Sequence, residues 1–360
     1  MTDKIYDYYA TTVAGLEDLV VADLRKQLKQ IDGVRVERGR RHGRIRFHYE
    51  RSPRKLLDLR SVENLFACVG EVRGLTVGPQ SLDRIASGLA GLPWGPALAL
   101  HDLLHGPQER PAFAVIPHLD RAGRRFSSGD VSRAAQAALT AALGLPADHA
   151  RPAYNIHLHF ARDRALAGLQ LFRGRAWKRP YRRSPRPGSL EGTVAYLIGQ
   201  FTDPRDRDRV LDPVCGAGTT LIERGLTAPA GLLAGGDIDR AALRAARESA
   251  EVAGVPLRLT CWDAACLPLR DAGFDRLTAN LPYGKKQVVL LRGPDPDALR
   301  PFLREMARVL RPGGLAVVLT EDPKALEGIV ERQEVAFRVV RACSAAIRGV
   351  APTIFVLKRV

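Results

Sequence analysis

The chain has 360 residues, 46% of them hydrophobic and 26% charged, the proportions of a globular protein large enough for two or three domains. No run approaches 18 consecutive apolar residues, and the opening MTDKIYDYYATT lacks a basic segment followed by an apolar core, so neither a membrane span nor a signal peptide is expected. Lys and Arg number 55 against 39 Asp and Glu, a net charge of +16 that points to a polyanionic partner, with an arginine-rich composition as the plain alternative.

In chain order, YDYYATT, GLEDLVVADLRKQL, VRVERG and RIRFHYE read as strand, helix, strand and strand. AFAVIPHL, SSGDVSRAAQAALTAALGL and YNIHLHFARDRALAGLQLF follow, giving an α+β region of short elements with two expected subdomains, 1–65 and 66–172. LFRGRAWKRPYRRSPRPGSL (171–190) then carries seven basic residues and no acid, with Trp177 and Tyr181 among them. Basic and aromatic side chains interleaved in this way suit a nucleic-acid backbone and its bases, and equally a solvated linker, taken here as 173–190.

From 191 to 360 the pattern alternates. Strands are predicted at RVLDPV (209–214), GLLAGGDI (231–238), PLRLTCWD (256–263), DRLTANL (275–281), GLAVVLT (314–320), FRVVRAC (337–343) and TIFVLKRV (353–360). Helical stretches such as TTLIERGL and DRAALRAARESAEVAG separate the earlier strands, the second with Asp239 as N-cap and Gly254 as its stop. Five apolar strands followed by two closely spaced ones predict a doubly wound, Rossmann-like α/β sheet ending in a hairpin.

RVLDPVCGAGTTLIERG runs from a strand through Gly216 and Gly218 into a helix, a turn where backbone comes close to a ligand. A dinucleotide and S-adenosylmethionine both suit such a turn. The dinucleotide fingerprint needs a third glycine three residues after the second, where this chain has Leu221. Asp212, followed by Pro213, would repel a pyrophosphate but accept from the cationic amino group of S-adenosylmethionine. Asp237 ends the next strand at the place for a ribose diol, and Asp263 ends the third at the place for an adenine amino group. Each acid alone reads equally well as a turn or cap residue. Three at successive strand ends argue for a cofactor pocket, because ligands of open α/β sheets bind there. Cys215, Thr219, Ile238 and Ala264 complete the expected lining.

After the fourth strand comes NLPYG. An exocyclic amine on a nucleobase is a poor nucleophile, its lone pair being delocalised into the ring. Two acceptors on its N–H groups, the Asn280 side chain and the Leu281 carbonyl, would turn that lone pair toward a methyl donor. Pro282 would fix the loop, and Tyr283 would offer a π-face for a flipped base.

DPVCGAGT, GGDID, WDAA and NLPYG, taken in order, resemble the motifs of class I amino-methyltransferases acting on nucleic acids. YYATTVAGLEDLVVADL and FSSGDVSRAAQAALTAALG resemble the ferredoxin-like and THUMP parts of THUMP-domain tRNA (guanine-N2)-methyltransferases, above all those modifying position 6 of the acceptor stem. The resemblance implies S-adenosylmethionine as cofactor and a partner tRNA held by its acceptor stem and 3′ end. It places Phe126, Ser127, Ser128 and Arg133 on the THUMP signature. Arg179, Arg182, Arg183 and Lys285 are added as basic candidates for the RNA path. PGSLEGTVAYLIG (187–199) resembles the family's helix that helps close the cofactor pocket. Many relatives carry an aspartate and a second proline in the catalytic motif where this chain has Asn280 and Leu281, so position 10, or rRNA, stays open as a target. A non-catalytic RNA-binding factor is the reading from another class.

Other segments carry plainer expectations. DPRDRDR (203–209) reads as a solvated turn. The histidines, 101, 105, 157 and 159 among them, read as loop or strand residues, with no metal expected. Five scattered cysteines without a CxxC pair suit a reducing cytoplasm. A monomer is expected.

Overall fold

The computed structural model describes residues 5–120, 123–172, 178–183, 188–281 and 299–360. Pro282, Tyr283, Lys285 and Trp177 lie outside the described residues.

Alternating apolar residues of the N-terminal half build one seven-stranded sheet, ordered β2-β3-β1-β4-β7-β6-β5. Its strands are β1 (Asp7–Val13), β2 (Asp32–Glu37), β3 (His42–His48), β4 (Asn64–Arg73), β5 (Phe113–His118), β6 (Tyr154–Ala161) and β7 (Arg164–Gln170). Pairing is antiparallel except for β5 with β6 at the edge. β4 straddles residues 65 and 66, pairing with β1 on one side and β7 on the other. Ile45, Phe47, Leu65, Ala67, Ile156 and Leu158 line one face. The apolar stripes of α1 (Glu17–Leu28), α2 (Ser81–Ala90), α3 (Trp94–His105) and α4 (Ser128–Leu143) pack on that face. The opposite face carries Tyr9, Arg44, Arg46, Phe66, His157 and His159, each one position out of phase with the core set.

The second sheet runs β10-β9-β8-β11-β12-β14-β13. Its strands are β8 (Arg209–Asp212), β9 (Leu232–Asp237), β10 (Arg258–Cys261), β11 (Phe274–Asn280), β12 (Leu310–Thr320), β13 (Phe337–Ser344) and β14 (Thr353–Arg359). The first five are parallel, and β14 and β13 close the sheet as an antiparallel hairpin. Order reverses between β8 and β11, so the crevice above their carboxyl ends is the switch point of the sheet. All seven predicted strands are present, and the doubly wound expectation holds.

α5 (Gly192–Phe201) is buried on every side, sharing one hydrophobic core with the first sheet and with Val317, Leu319, Ile354 and Val356 of the second. Its Tyr196 hydroxyl donates to Asp23 (2.8 Å) and accepts from Gln27 (2.8 Å), both on α1. The segment 203–209 departs from expectation at one residue. Asp208 is buried, and its carboxylate accepts from the Arg205 amide and faces Arg224 and Arg276, because the turn must seat β8 against the core.

Candidate active site at the strand ends

β8, β9 and β11 stop at Asp212, Asp237 and Asn280, and β10 stops two residues before Asp263. Each aspartate shapes its own turn by accepting the backbone N–H two residues on: Val214 (3.2 Å), Asp239 (2.9 Å) and Ala265 (2.9 Å). The turn reading of each acid is therefore met. The other oxygen of Asp212 accepts from Thr220 (2.5 Å) and Thr278 (3.2 Å), and that of Asp237 accepts from the Gly216 amide (2.9 Å). Asp212 is fully buried and its partners are hydroxyls and an amide, so burial pushes its carboxyl up to about 6.

The glycine loop follows from these bonds. Gly216 (φ 53°) and Gly218 (φ 73°) both take left-handed backbone, and Gly218 begins α6 (Thr219–Gly225). A methyl at Gly218 would stand 3.2 Å from the Ala246 Cβ, whereas one at Gly216 would meet nothing within 4 Å. Gly216 thus faces open space while Asp237 holds its amide. Cys215 is buried beneath, its thiol pushed well above the usual range by burial, which leaves it no nucleophile's character. Pro213 and Thr219 are buried, Ala264 is half-buried, and Ile238, next to Asp237 in the chain, is an apolar side chain 52% exposed.

Asn280 is half-buried and its Nδ2 donates to the Gly188 carbonyl (3.2 Å), which turns the donor end of the amide toward the arm entering α5. The Leu281 amide donates to Leu319 of β12 (3.0 Å), so the sheet holds the backbone at the start of the NLPYG motif. A buried carboxylate, a glycine turn with open space over it, a second acid at the next strand end and an exposed apolar residue beside it fit an amino acid joined to a nucleoside, as S-adenosylmethionine is.

Several contributors carried no signal that the motif reading used. Trp262 donates its indole N–H to the Pro213 carbonyl (3.0 Å) and lies across Gly236, where an added Cβ would stand 1.9 Å from the ring. A tryptophan beside the third strand-end acid, opposite the paired glycines of GGDID, was the available clue. Glu223 of α6 is wholly buried and accepts from Arg60 (2.8 and 2.9 Å), Arg179 (3.0 Å) and the Tyr181 hydroxyl (2.6 Å). The glycine-loop helix is thereby tied to both the N-terminal half and the basic arm.

Two of the RNA-path candidates lie inside the protein. Arg179 is buried in that ion pair and also donates to the Arg60 carbonyl, so its guanidinium is engaged inside the protein. Phe126 is buried against Phe160 with the Arg124 guanidinium over it, and so supports the start of α4 from inside. Ser127 caps α4 in a capping box with Asp130, which also pairs with Arg133. Ser128, Arg133 and Arg183 are exposed and Arg182 is half-buried.

Residues 179–350 match the UPF0020 family, described as an RMKL-like methyltransferase domain. The tRNA (guanine(6)-N2)-methyltransferase of Thermus thermophilus is 30% identical over 97% of this chain and 98% of its own length. The Mus musculus tRNA (guanine(6)-N(2))-methyltransferase THUMP3 is 32% identical over 48% of this chain and 37% of its own length. Among solved structures, TrmN from Thermus thermophilus superposes with a TM-score of 0.79 at 28% identity, covering 98% of this chain and 99% of that one. SMU.472, a putative methyltransferase solved with S-adenosylhomocysteine (SAH), has the same fold (TM-score 0.70, 16% identity, 98% of both chains). A relationship running through both halves at this identity is one of whole proteins: the chain belongs to the THUMP-domain tRNA (guanine-N2)-methyltransferase family and is an S-adenosylmethionine-dependent enzyme.

Proposed function

We propose that the chain methylates the exocyclic N2 of a guanosine in tRNA, at position 6 of the acceptor stem. The observation that carries this reading is Asn280 at the end of β11, across the switch point from Asp212 and the glycine loop. When bound, S-adenosylmethionine supplies an electrophilic sulfonium methyl. Asp237 would hold its ribose, Asp263 its adenine amino group, Ile238 the adenine face, and Asp212 the cationic amino group through its charge and remaining lone pair. The Asn280 Oδ1 and the Leu281 carbonyl would accept from the two N–H bonds of the guanine 2-amino group and so orient its lone pair. Pro282 would stiffen the loop and Tyr283 would stack on the base. In-line transfer needs alignment more than a strong base, which matches a site whose polar groups are acceptors.

Position 6 is favoured because the relative aligned over 97% of this chain carries that activity in its name. The net charge of +16 and the exposed Ser128, Arg133 and Arg183 support a tRNA partner docked along the N-terminal half. Five cysteines outside any disulfide are consistent with a reducing compartment such as the cytoplasm. Purified protein, S-adenosylmethionine and unmodified tRNA transcripts, followed by digestion and mass spectrometry, test the reading. N2-methylguanosine is expected at position 6, and a transcript with adenosine there should take none. Methyl at another guanosine would move the target while keeping the chemistry. No methyl on any RNA, with the cofactor demonstrably bound, would remove the proposed function.

A further inference from the structure

On the helix-free face of the first sheet, β5 and β6 run parallel with His118 in register with His159, and His157 lies two residues before it on the same face. One nitrogen from each of the three rings lies within 4.8 Å of the others. His118 and His159 rings are nearly parallel with centroids 4.4 Å apart, and His118 Nε2 contacts His157 Nδ1 at 2.9 Å. His157 and His159 are buried, and the Nε2 atom of each has no hydrogen-bond partner. One buried polar atom without a partner costs about 1–3 kcal/mol, and two side by side are an arrangement that a ligand would relieve.

We propose that His118, His157 and His159 form a binding site for one divalent transition-metal ion of the zinc class. Three imidazoles are a ligand set that zinc, nickel, copper and cobalt accept, and the class excludes magnesium and calcium, which take oxygen ligands. A tetrahedral ion bound at about 2.0–2.1 Å needs nitrogens about 3.4 Å apart, so the rings must turn edge-on and close by about an ångström. His118 is exposed on an edge strand and has room to make that movement. The same exposure supplies an entry path and a fourth position for water. Gln170, which donates to Asn64 (2.8 Å), lies beside His157 as an outer support. Bound metal would staple β5 to β6 directly before the segment that leads to Ser127 and α4. The sequence alone does not bring these three rings together, because β5 and β6 are about 40 residues apart in the chain and only strand pairing joins them.

The test uses full-length protein without a polyhistidine tag, stripped with chelator and titrated with Co2+ under visible absorption, then with Zn2+ in competition. One Co2+ per chain with a d–d band is expected, displaced by Zn2+, together with a metal-dependent rise in melting temperature. His118→Ala, an exposed substitution that leaves the core intact, should weaken binding by about 100-fold or more, since even outer supports are worth about 10–100-fold. His159→Asn should do the same, and His48→Ala, at the opposite end of β3 from His42, should change nothing. Absence of saturable binding would overturn the proposal, as would binding of wild-type strength in His118→Ala.

Discussion

Asp212 combines charge with full burial at the place proposed for the cofactor's amino group. Its carboxyl titrates near 6 against an ordinary 3.8 because it is buried among neutral donors. A group whose pKa is raised by folding favours the folded state when protonated, so its contribution declines as pH rises from about 4 to about 6 and is lost above. A cation held beside it works in the opposite direction, since only the carboxylate attracts it. Affinity for S-adenosylmethionine, measured by calorimetry, should therefore weaken as pH falls below about 6, and Asp212→Asn should bind more weakly at neutral pH with that dependence flattened. An unchanged pH profile in the variant would contradict this role. The three aspartates were legible because strand ends can be located from apolar runs, and an acid following one stands out. Thr220, Thr278 and Trp262 were not, since a hydroxyl or indole inside an apolar stretch looks like packing until the strands are placed side by side. The Gly188 carbonyl that accepts from Asn280 is a backbone atom and has no signature in residue identity.

The glycine loop separates backbone demands from ligand demands. Gly216→Ala adds a Cβ where no protein atom lies within 4 Å, so strain at φ 53° should cost about 1–2 kcal/mol while cofactor affinity falls further than that. Urea denaturation and calorimetry on the same variant separate the two effects, and equal losses in both would mean that Gly216 does not face the ligand. In the second half, element recognition succeeded because each buried parallel strand is a compact apolar run flanked by Gly, Pro or Asp. It failed for β4, α2 and α3 in the first half. β4 shifts register between Cys68 and Gly70, which breaks the period-two alternation, and α2 and α3 begin without a side-chain cap. By contrast, the capping box at Ser127 and Asp130 marks the start of α4 in the sequence itself.

At the scale of the molecule, the two sheets act as one framework through α5 and through Glu223. Replacing Glu223 with Ala would leave Arg60 and Arg179 facing each other without their counter-charge, and a broken buried ion pair costs about 3–5 kcal/mol. Denaturant unfolding should show that loss, and a variant as stable as the parent would mean that the junction does not depend on the network. Arg60 and Glu223 lie 163 positions apart, so no local pattern announces the pair. The inward turn of Arg179 is hidden for a related reason, because a basic run shows charge but not which members turn inward.

Asn280 is the group proposed to orient the reacting amine. Single-turnover methyl transfer by Asn280→Ala, at saturating S-adenosylmethionine and tRNA and with tRNA affinity measured on the same preparation, tests it directly. Loss of one preorganised polar contact of this kind costs about 10²–10³-fold. A fall of that size with tRNA binding retained is expected, and near-parental transfer by the variant would contradict the role proposed for Asn280.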